Sequence, residues 1–285
     1  MSGQIGGNPA PASLAGPARF LPVFLSAFAF LQASGGLLIK GLYRDNAWVV
    51  SIYRGTDWVT LLVVVPLLLG ALFLARRGTP QALPVLAGLS YYVFYNNVYY
   101  LFTAFNRFFL VYAAIFVLSA ASVISVLLAV DPGRIGARGP DPVRKPVGLA
   151  MLAMAAILAV MWIGQSLLFV ANGKVPQLIL DTGGTTHMVA ALDLTLIVPL
   201  LALGAVWLWK GRPWGRVLAL ALNVQCSIIT LVLVVSTPFQ AAAGVKDAWT
   251  FFPLWAFMGV VFWISAAVML KTGRWLPDTS CSPAE

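Results

Sequence analysis

Eight apolar runs of roughly twenty residues constrain this chain more than any other feature, since a helix of that length crosses a ~30 Å hydrocarbon layer. Period-two alternation is absent, and open strands would leave unpaired backbone groups in lipid. The sequence therefore predicts an all-α polytopic membrane protein with eight transmembrane helices. The runs lie near residues 20–39, 58–75, 82–105, 108–130, 147–171, 188–209, 216–236 and 249–270.

Composition supports a membrane environment and argues against several classes of site. Hydrophobic residues make up 60% of the 285 residues and charged residues 9%, so one globular core could not hide the apolar surface. The lipid bilayer is therefore the expected partner. The net charge of +9 does not indicate nucleic acid, because the basic residues lie at the ends of the apolar runs. One histidine and two cysteines with no ligand spacing predict no metal, no cofactor and no catalytic residue.

The distribution of basic residues predicts the orientation. Twelve Lys and Arg residues lie at one set of run ends and six at the other. By the positive-inside rule, the N- and C-termini are both cytoplasmic. Residues 1–18 are rich in Gly, Ala, Pro and Ser and have no hydrophobic core of a signal peptide, which predicts a disordered cytoplasmic N-terminus.

The apolar runs form two similar halves. The segment from Pro66 to Gly78 resembles the segment from Pro199 to Gly211, which lies 133 positions later, and Gln32 and Gln165 share that offset. Four helices in each half predict a tandem parallel 4+4 repeat about an axis along the membrane normal. Chance similarity between Leu-rich segments is the alternative. The predicted division is a first membrane repeat at 19–130, a cytoplasmic linker at 131–146, a second repeat at 147–272 and a cytoplasmic tail at 273–285.

The third run concentrates polar and aromatic residues. At helical spacing, one face carries Tyr92, Asn96, Tyr99, Thr103 and Asn106, and the neighbouring face carries Tyr91, Tyr95, Phe102 and Phe105. Such residues either join helices by hydrogen bonds, form aromatic belts at the interfaces, or line a ligand cavity. We expect Tyr92, Asn96 and Tyr99 to line an enclosed cavity between the halves, of roughly 300 Å³ or more.

Several of these motifs also carry a family resemblance. The stretches around Gly55-Thr-Asp-Trp, Tyr91-Tyr-Val-Phe-Tyr-Asn-Asn-Val-Tyr-Tyr100 and Phe105-Asn-Arg resemble uncharacterised bacterial and archaeal multi-pass membrane proteins of unknown function. The resemblance covers roughly residues 30 to 220 and implies the bacterial inner membrane but no activity. Where this chain has Tyr95-Asn96-Asn97, typical members carry Tyr-Asn-Tyr.

Four charged or titratable residues complete the candidate ligand-binding set. Asp57 suits a helix N-cap at the start of the second run. Asp193 lies about two turns inside the sixth run, where a carboxylate must be protonated, paired or hydrated, and Arg107 or Arg54 could pair with it. His187 suits a solvated helix start. The full predicted set is Tyr92, Asn96, Tyr99, Asn106, Arg107, Asp193, Asp57 and His187.

Three functional classes fit these observations. The first is a transporter or permease for a small solute, favoured by the repeat and by the polar aromatic third run. The second is a non-catalytic membrane partner or assembly factor, favoured by the scarcity of buried charge. The third is an intramembrane enzyme that binds a lipid or quinone and uses Asp57, Asp193, His187 and Arg107. A small-molecule or lipid ligand is possible in the first and third, and the oligomeric state stays open.

Overall fold

The computed structural model describes residues 16–132 and 142–272. Most of the segment predicted to be disordered, most of the predicted linker and all of the predicted tail therefore lie outside the described residues. The last residues of the N-terminal segment, Gly16–Arg19, form a short 3-10 helix.

Besides this 3-10 helix, the described residues form nine longer helical elements and no strands, which confirms the all-α class. The helices are α1 (Leu21–Leu38), α2 (Ala47–Arg76), α3 (Ala82–Leu101), α4 (Phe109–Leu128), α5 (Arg144–Asn172), α6 (Gln177–Thr182), α7 (Met188–Trp209), α8 (Pro213–Ala242) and α9 (Phe252–Thr272).

Seven of these helices are long and apolar enough to cross a membrane: α1, α2, α4, α5, α7, α8 and α9. Helix α3 has twenty residues but is not among the seven. Its tyrosines and its two consecutive asparagines make it less apolar than the others. The structure therefore supports a multi-pass membrane protein with seven candidate spans among the described residues.

Two of the helix boundaries that differ from the sequence prediction lie close to the candidate site residues. Helix α2 begins at Ala47, because the Asn46 side chain accepts a hydrogen bond from the Val49 amide at 3.0 Å and so caps the first turn. Asp57 lies inside α2, so the predicted role of Asp57 as an N-cap is wrong. Helix α3 ends at Leu101 rather than at residue 105, and a turn leads into α4.

Helices α2 and α7 each contain a π-helical segment, at Thr60–Val64 and at Asp193–Ile197. The two segments start 133 residues apart (193 − 60). Each is followed two residues later by proline, Pro66 or Pro199. Proline has no N–H and crowds the carbonyl four residues earlier, and a wider turn relieves that clash.

Helix α8 is the centre of the bundle. It packs against α2 and α3 of the first half and against α7 and α9 of the second. Of the most apolar part of α8, 72% of residues are buried, against 28 to 44% in the other six spans. Glycines allow the close approach: a β-carbon on Gly55 of α2 would overlap Ser236 of α8, and one on Gly88 of α3 would overlap the Ala221 carbonyl.

Candidate functional site

Asp57 is fully buried, and two tyrosine hydroxyls hold its carboxyl group. The Tyr43 hydroxyl donates to Oδ2 at 2.6 Å, and the Tyr100 hydroxyl donates to Oδ1 at 3.1 Å. The Tyr53 ring stacks on the Tyr100 ring with centroids 4.3 Å apart. We call Tyr43, Asp57 and Tyr100 the Asp57 cluster.

The Asp57 cluster forms where α1, α2, α3 and the turn before α2 meet. Gly36 of α1 lies against both Asp57 Oδ2 and the Tyr43 hydroxyl, and a β-carbon there would overlap them. Burial, and then the neighbouring Asp57, raises the pKa of the Tyr43 hydroxyl above its ordinary value. Tyr43 therefore stays protonated and acts as a donor.

Asp193 is the second buried carboxyl group, with 8% of its surface exposed. The Tyr95 hydroxyl donates to Oδ1 at 2.6 Å, and the Trp162 Nε1–H donates to Oδ2 at 2.8 Å. The Tyr99 hydroxyl lies 3.1 Å from the Tyr95 hydroxyl. Because Tyr95 gives its proton to Asp193, its oxygen is free to accept the proton of Tyr99. We call Tyr95, Tyr99, Trp162 and Asp193 the Asp193 cluster.

His187 lies at the edge of the Asp193 cluster and caps α7. Its Nδ1 accepts from the Ala190 amide at 3.2 Å, and its Nε2 lies 3.3 Å from Gln165 Oε1. These two contacts fit the neutral tautomer that carries its proton on Nε2. The His187 ring also packs edge-on against Trp162, with centroids 4.8 Å apart. Burial lowers the pKa of His187, which also favours the neutral form.

A small polar cavity lies beside α3. The space open to the centre of a water molecule is about 10 Å³. The lining comes from α1, α2, α3 and α4, so the cavity lies within the first half. The lining residues are Ala29, Gln32, Thr60, Tyr92, Val93, Asn96, Asn97 and Ile115.

The predicted cavity is therefore wrong in both size and place. The observed space is far below 300 Å³, and it does not lie between the halves. Tyr92 and Asn96 line it, as expected, but Tyr99 belongs to the Asp193 cluster. Tyr92 and Tyr99 are seven residues apart, so their side chains leave α3 in directions that differ by only ~20°. They nevertheless contact different halves of the protein.

Two sides of α3 contact different halves of the protein, but they do not coincide with the two predicted faces, since Tyr99 lies with Tyr95 rather than with Tyr92. Tyr91, Tyr95 and Tyr99 point toward the second half, and the Tyr91 hydroxyl donates to the Leu196 carbonyl in the second π-helical segment at 3.2 Å. Asn97 and Tyr100 point into the first half. The face interpreted as an aromatic wall therefore carries hydrogen bonds to the second half.

Asn106 and Arg107, two of the predicted site residues, belong to neither cluster and do not line the cavity. Arg107 is exposed, so the predicted pair between Arg107 and Asp193 is wrong. Asn106 organises the turn between α3 and α4: its Oδ1 accepts from the Phe108 amide at 2.9 Å. The other candidate cation, Arg54, is also exposed.

The predicted site set lacks several residues that build the clusters and the cavity, among them Gln32, Tyr43, Tyr95, Asn97, Tyr100 and Trp162. A signal existed for Trp162, because a buried indole N–H requires an acceptor and Asp193 was already identified as buried. A signal existed for Tyr100 as well, because Asn97 and Tyr100 share a helical face. Tyr43 lies in a turn, where no periodicity marks it.

Across residues 16–132 and 142–272, no three His, Cys, Asp or Glu side chains converge in a way that could hold a metal ion. Comparison with protein-family models, with curated proteins and with solved structures found no match. The two carboxyl clusters and the polar cavity are therefore the features that bear on function.

Proposed function

We propose that this protein is a proton-coupled carrier for a small solute in the bacterial inner membrane, with Asp57 and Asp193 as its proton-binding groups. The observation that carries the proposal is the pair of buried carboxyls, each on a helix with a π-helical segment and each bonded by two neutral donors. Ionisable groups inside a membrane bundle are costly and mark ion or proton pathways.

The donors at these carboxyls support protons as the coupling ion. Within the described residues, both groups bond only to phenol and indole donors, and the structure shows no ion pair to either. A neutral setting lets a carboxyl group gain and lose a proton without breaking a salt bridge. The chain from Tyr99 through Tyr95 to Asp193 also provides a connected path of hydroxyl groups.

Structural features at matching positions support the tandem 4+4 repeat. The π-helical segments share the 133-residue offset of Gln32 and Gln165. Gln32 Oε1 accepts from Asn97 at 3.0 Å, and Gln165 Oε1 lies beside His187. In this proposal α3 is the eighth span, and the membrane tolerates it because its polar side chains face protein. Both termini are cytoplasmic, by the positive-inside rule.

The runner-up is a non-catalytic membrane partner or assembly factor, favoured by the small cavity volume. The cavity between α1, α2, α3 and α4 has room for about one water molecule, as expected for a packed scaffold. The enzyme hypothesis has less support, because Asp57 and Asp193 occupy separate clusters and the exposed Arg107 is a hydrogen-bond partner of neither.

Untargeted uptake into proteoliposomes tests the carrier proposal. Vesicles with an alkaline interior are incubated with the neutral fraction of a bacterial metabolite extract, washed and analysed by mass spectrometry. We expect at least one small solute to accumulate only when the proton gradient is present. Asp193→Asn should reduce that accumulation at least tenfold, because the asparagine side chain binds no proton.

Asp247→Asn is the matched control. Asp247 is exposed and has φ of 54°, a conformation that asparagine also tolerates, so uptake should be unchanged. Absence of gradient-dependent accumulation of any solute, with folded protein in the vesicles, would reject the carrier. Chemical cross-linking in native membranes that captures a stoichiometric protein partner would then favour the assembly-factor function.

A further inference from the structure

We propose that the cavity beside α3 binds a single water molecule, held between the Tyr92 hydroxyl and the Asn97 side-chain oxygen. The existence of this water site does not depend on the carrier proposal. Its role, as the proton step next to Asp57, rests on that proposal.

Two buried polar groups at this cavity have no hydrogen-bond partner in the structure. They are the Tyr92 hydroxyl and Asn97 Oδ1, and each side chain is 1% exposed. Leaving a buried donor or acceptor unsatisfied costs about 1 to 3 kcal/mol, so such groups are normally bonded to protein or water. Both residues line the same space, and one water molecule bonded to both would leave neither group unsatisfied.

The cavity has the size and chemistry for water. A space of about 10 Å³ open to a water centre approaches what a single molecule needs, together with two to four polar partners. Water can accept from Tyr92 and donate to Asn97 Oδ1, and Gln32, Thr60 and Asn96 supply further polar groups.

A monovalent cation fits this lining less well than water. It would use the oxygen of Asn97 but would leave the Tyr92 proton without an acceptor. The amide nitrogen of Asn97 already donates to Gln32 Oε1, which ties up one of the remaining oxygens. All the polar side chains in the lining are neutral.

The cavity lies about one helical turn from the Asp57 carboxyl along two helices. On α2, Thr60 of the lining follows Asp57 by three residues. On α3, Asn97 of the lining precedes Tyr100, the donor to Asp57, by three residues. Three residues correspond to a rise of ~4.5 Å. The water would therefore lie next to the Asp57 cluster, on the side toward the middle of the bundle.

Radiolytic footprinting of the purified full-length protein tests for this water. Brief X-ray exposure makes hydroxyl radicals from bound water, and these oxidise the side chains that touch it. We expect Tyr92 to be oxidised at least fivefold faster than Tyr112. Tyr112 is the matched control, because it is equally buried and also has an unpartnered hydroxyl but does not line the cavity.

Ala29→Val should then fill the space without removing a polar group, since Ala29 is a buried lining residue. We expect Tyr92 oxidation to fall to the Tyr112 rate in this variant. Equal oxidation of Tyr92 and Tyr112 in the unmodified protein would overturn the proposal. A melting temperature that rises with NaCl but not with N-methylglucamine chloride, and that loses this response in Ala29→Val, would assign the cavity to a cation and also overturn it. Rapid Tyr92 oxidation in a protein that takes up no solute would keep the water site and reject the carrier.

Discussion

The two carboxyl clusters differ in where their donors come from. Asp57 takes its hydrogen bonds from Tyr43 and Tyr100, both in the first half. Asp193 takes one from Trp162 of its own half and one from Tyr95 of α3. The Asp57 cluster therefore stabilises one half internally, and the Asp193 cluster ties the two halves together. In the carrier that we propose, the first kind of contact would stay intact and the second would change as the halves move.

The largest expected effect is at the tightest contact of the Asp57 cluster. Gly36→Val would push a side chain into the space of Asp57 Oδ2 and the Tyr43 hydroxyl. Each buried group left without its hydrogen bond costs about 1 to 3 kcal/mol, so we expect unfolding or a loss of about 3 kcal/mol or more. Gly70→Val is the control, since nothing lies within 4 Å of a β-carbon there. Thermal unfolding in detergent measures both, and equal melting temperatures would contradict the observed contact.

The next effect separates the two carboxyl groups. Asp57→Asn and Asp193→Asn each replace an acceptor oxygen by an amide donor that faces another donor. We expect each to lower the free energy of unfolding by about 1 to 3 kcal/mol. Asp247→Asn should have no effect, because that side chain is exposed. Denaturant titration of the three variants provides the measurement, and unchanged stability at both buried positions would mean that the carboxyl groups are not bonded as described.

A double-mutant cycle sharpens the comparison further. Tyr95→Phe removes one donor from Asp193 and should cost about 1 kcal/mol. Combined with Asp193→Asn, the losses should be non-additive by ~0.5 kcal/mol or more, because the two residues share a hydrogen bond. Combined with Asp57→Asn, they should add. Additivity in both combinations would show that Tyr95 does not act through Asp193.

The smallest expected effect is the pH dependence from His187. Burial lowers the pKa of His187 in the folded protein from its ordinary value of 6.5. The unfolded chain then binds the proton more tightly, so this contribution to stability is present above pH ~6.5 and decreases as the pH falls below that value. His187→Gln should flatten the melting temperature between pH 5 and pH 7. A slope that is unchanged in the variant would assign the pH dependence to other groups.

The helical class could be predicted from the sequence because the long apolar runs indicate segments surrounded by lipid. The sequence also identified Asp193, Tyr92 and Asn96 as unusual, since polar groups in such runs need partners, but it interpreted Asp57 as a helix N-cap. It placed the start of α2 eleven residues too late (58 − 47), because Ser51, Arg54 and Asp57 interrupt the apolar pattern. The cap at Asn46 was visible in the sequence and could have corrected this.

The partners of the carboxyl groups could not be predicted in the same way. Charge alone favoured Arg107 for Asp193, but the side chain that reaches Asp193 depends on how α3 is rotated against the second half. That rotation is set by close contacts such as Gly88 against Ala221, which no periodicity reveals. The size of the cavity could not be predicted from the sequence either, because it depends on how side chains from four helices fill one space.

Infrared difference spectroscopy tests the central claim most directly, because it detects protonation of individual carboxyl groups without knowledge of the solute. A pH step is applied to the reconstituted protein, and the carbonyl stretch of protonated carboxylic acids is recorded. We expect two bands from groups shielded from water, one of which disappears in Asp57→Asn and the other in Asp193→Asn, with Asp247→Asn leaving both. A difference spectrum in which neither band depends on Asp57 or Asp193 would contradict the assignment of these residues as proton-binding groups.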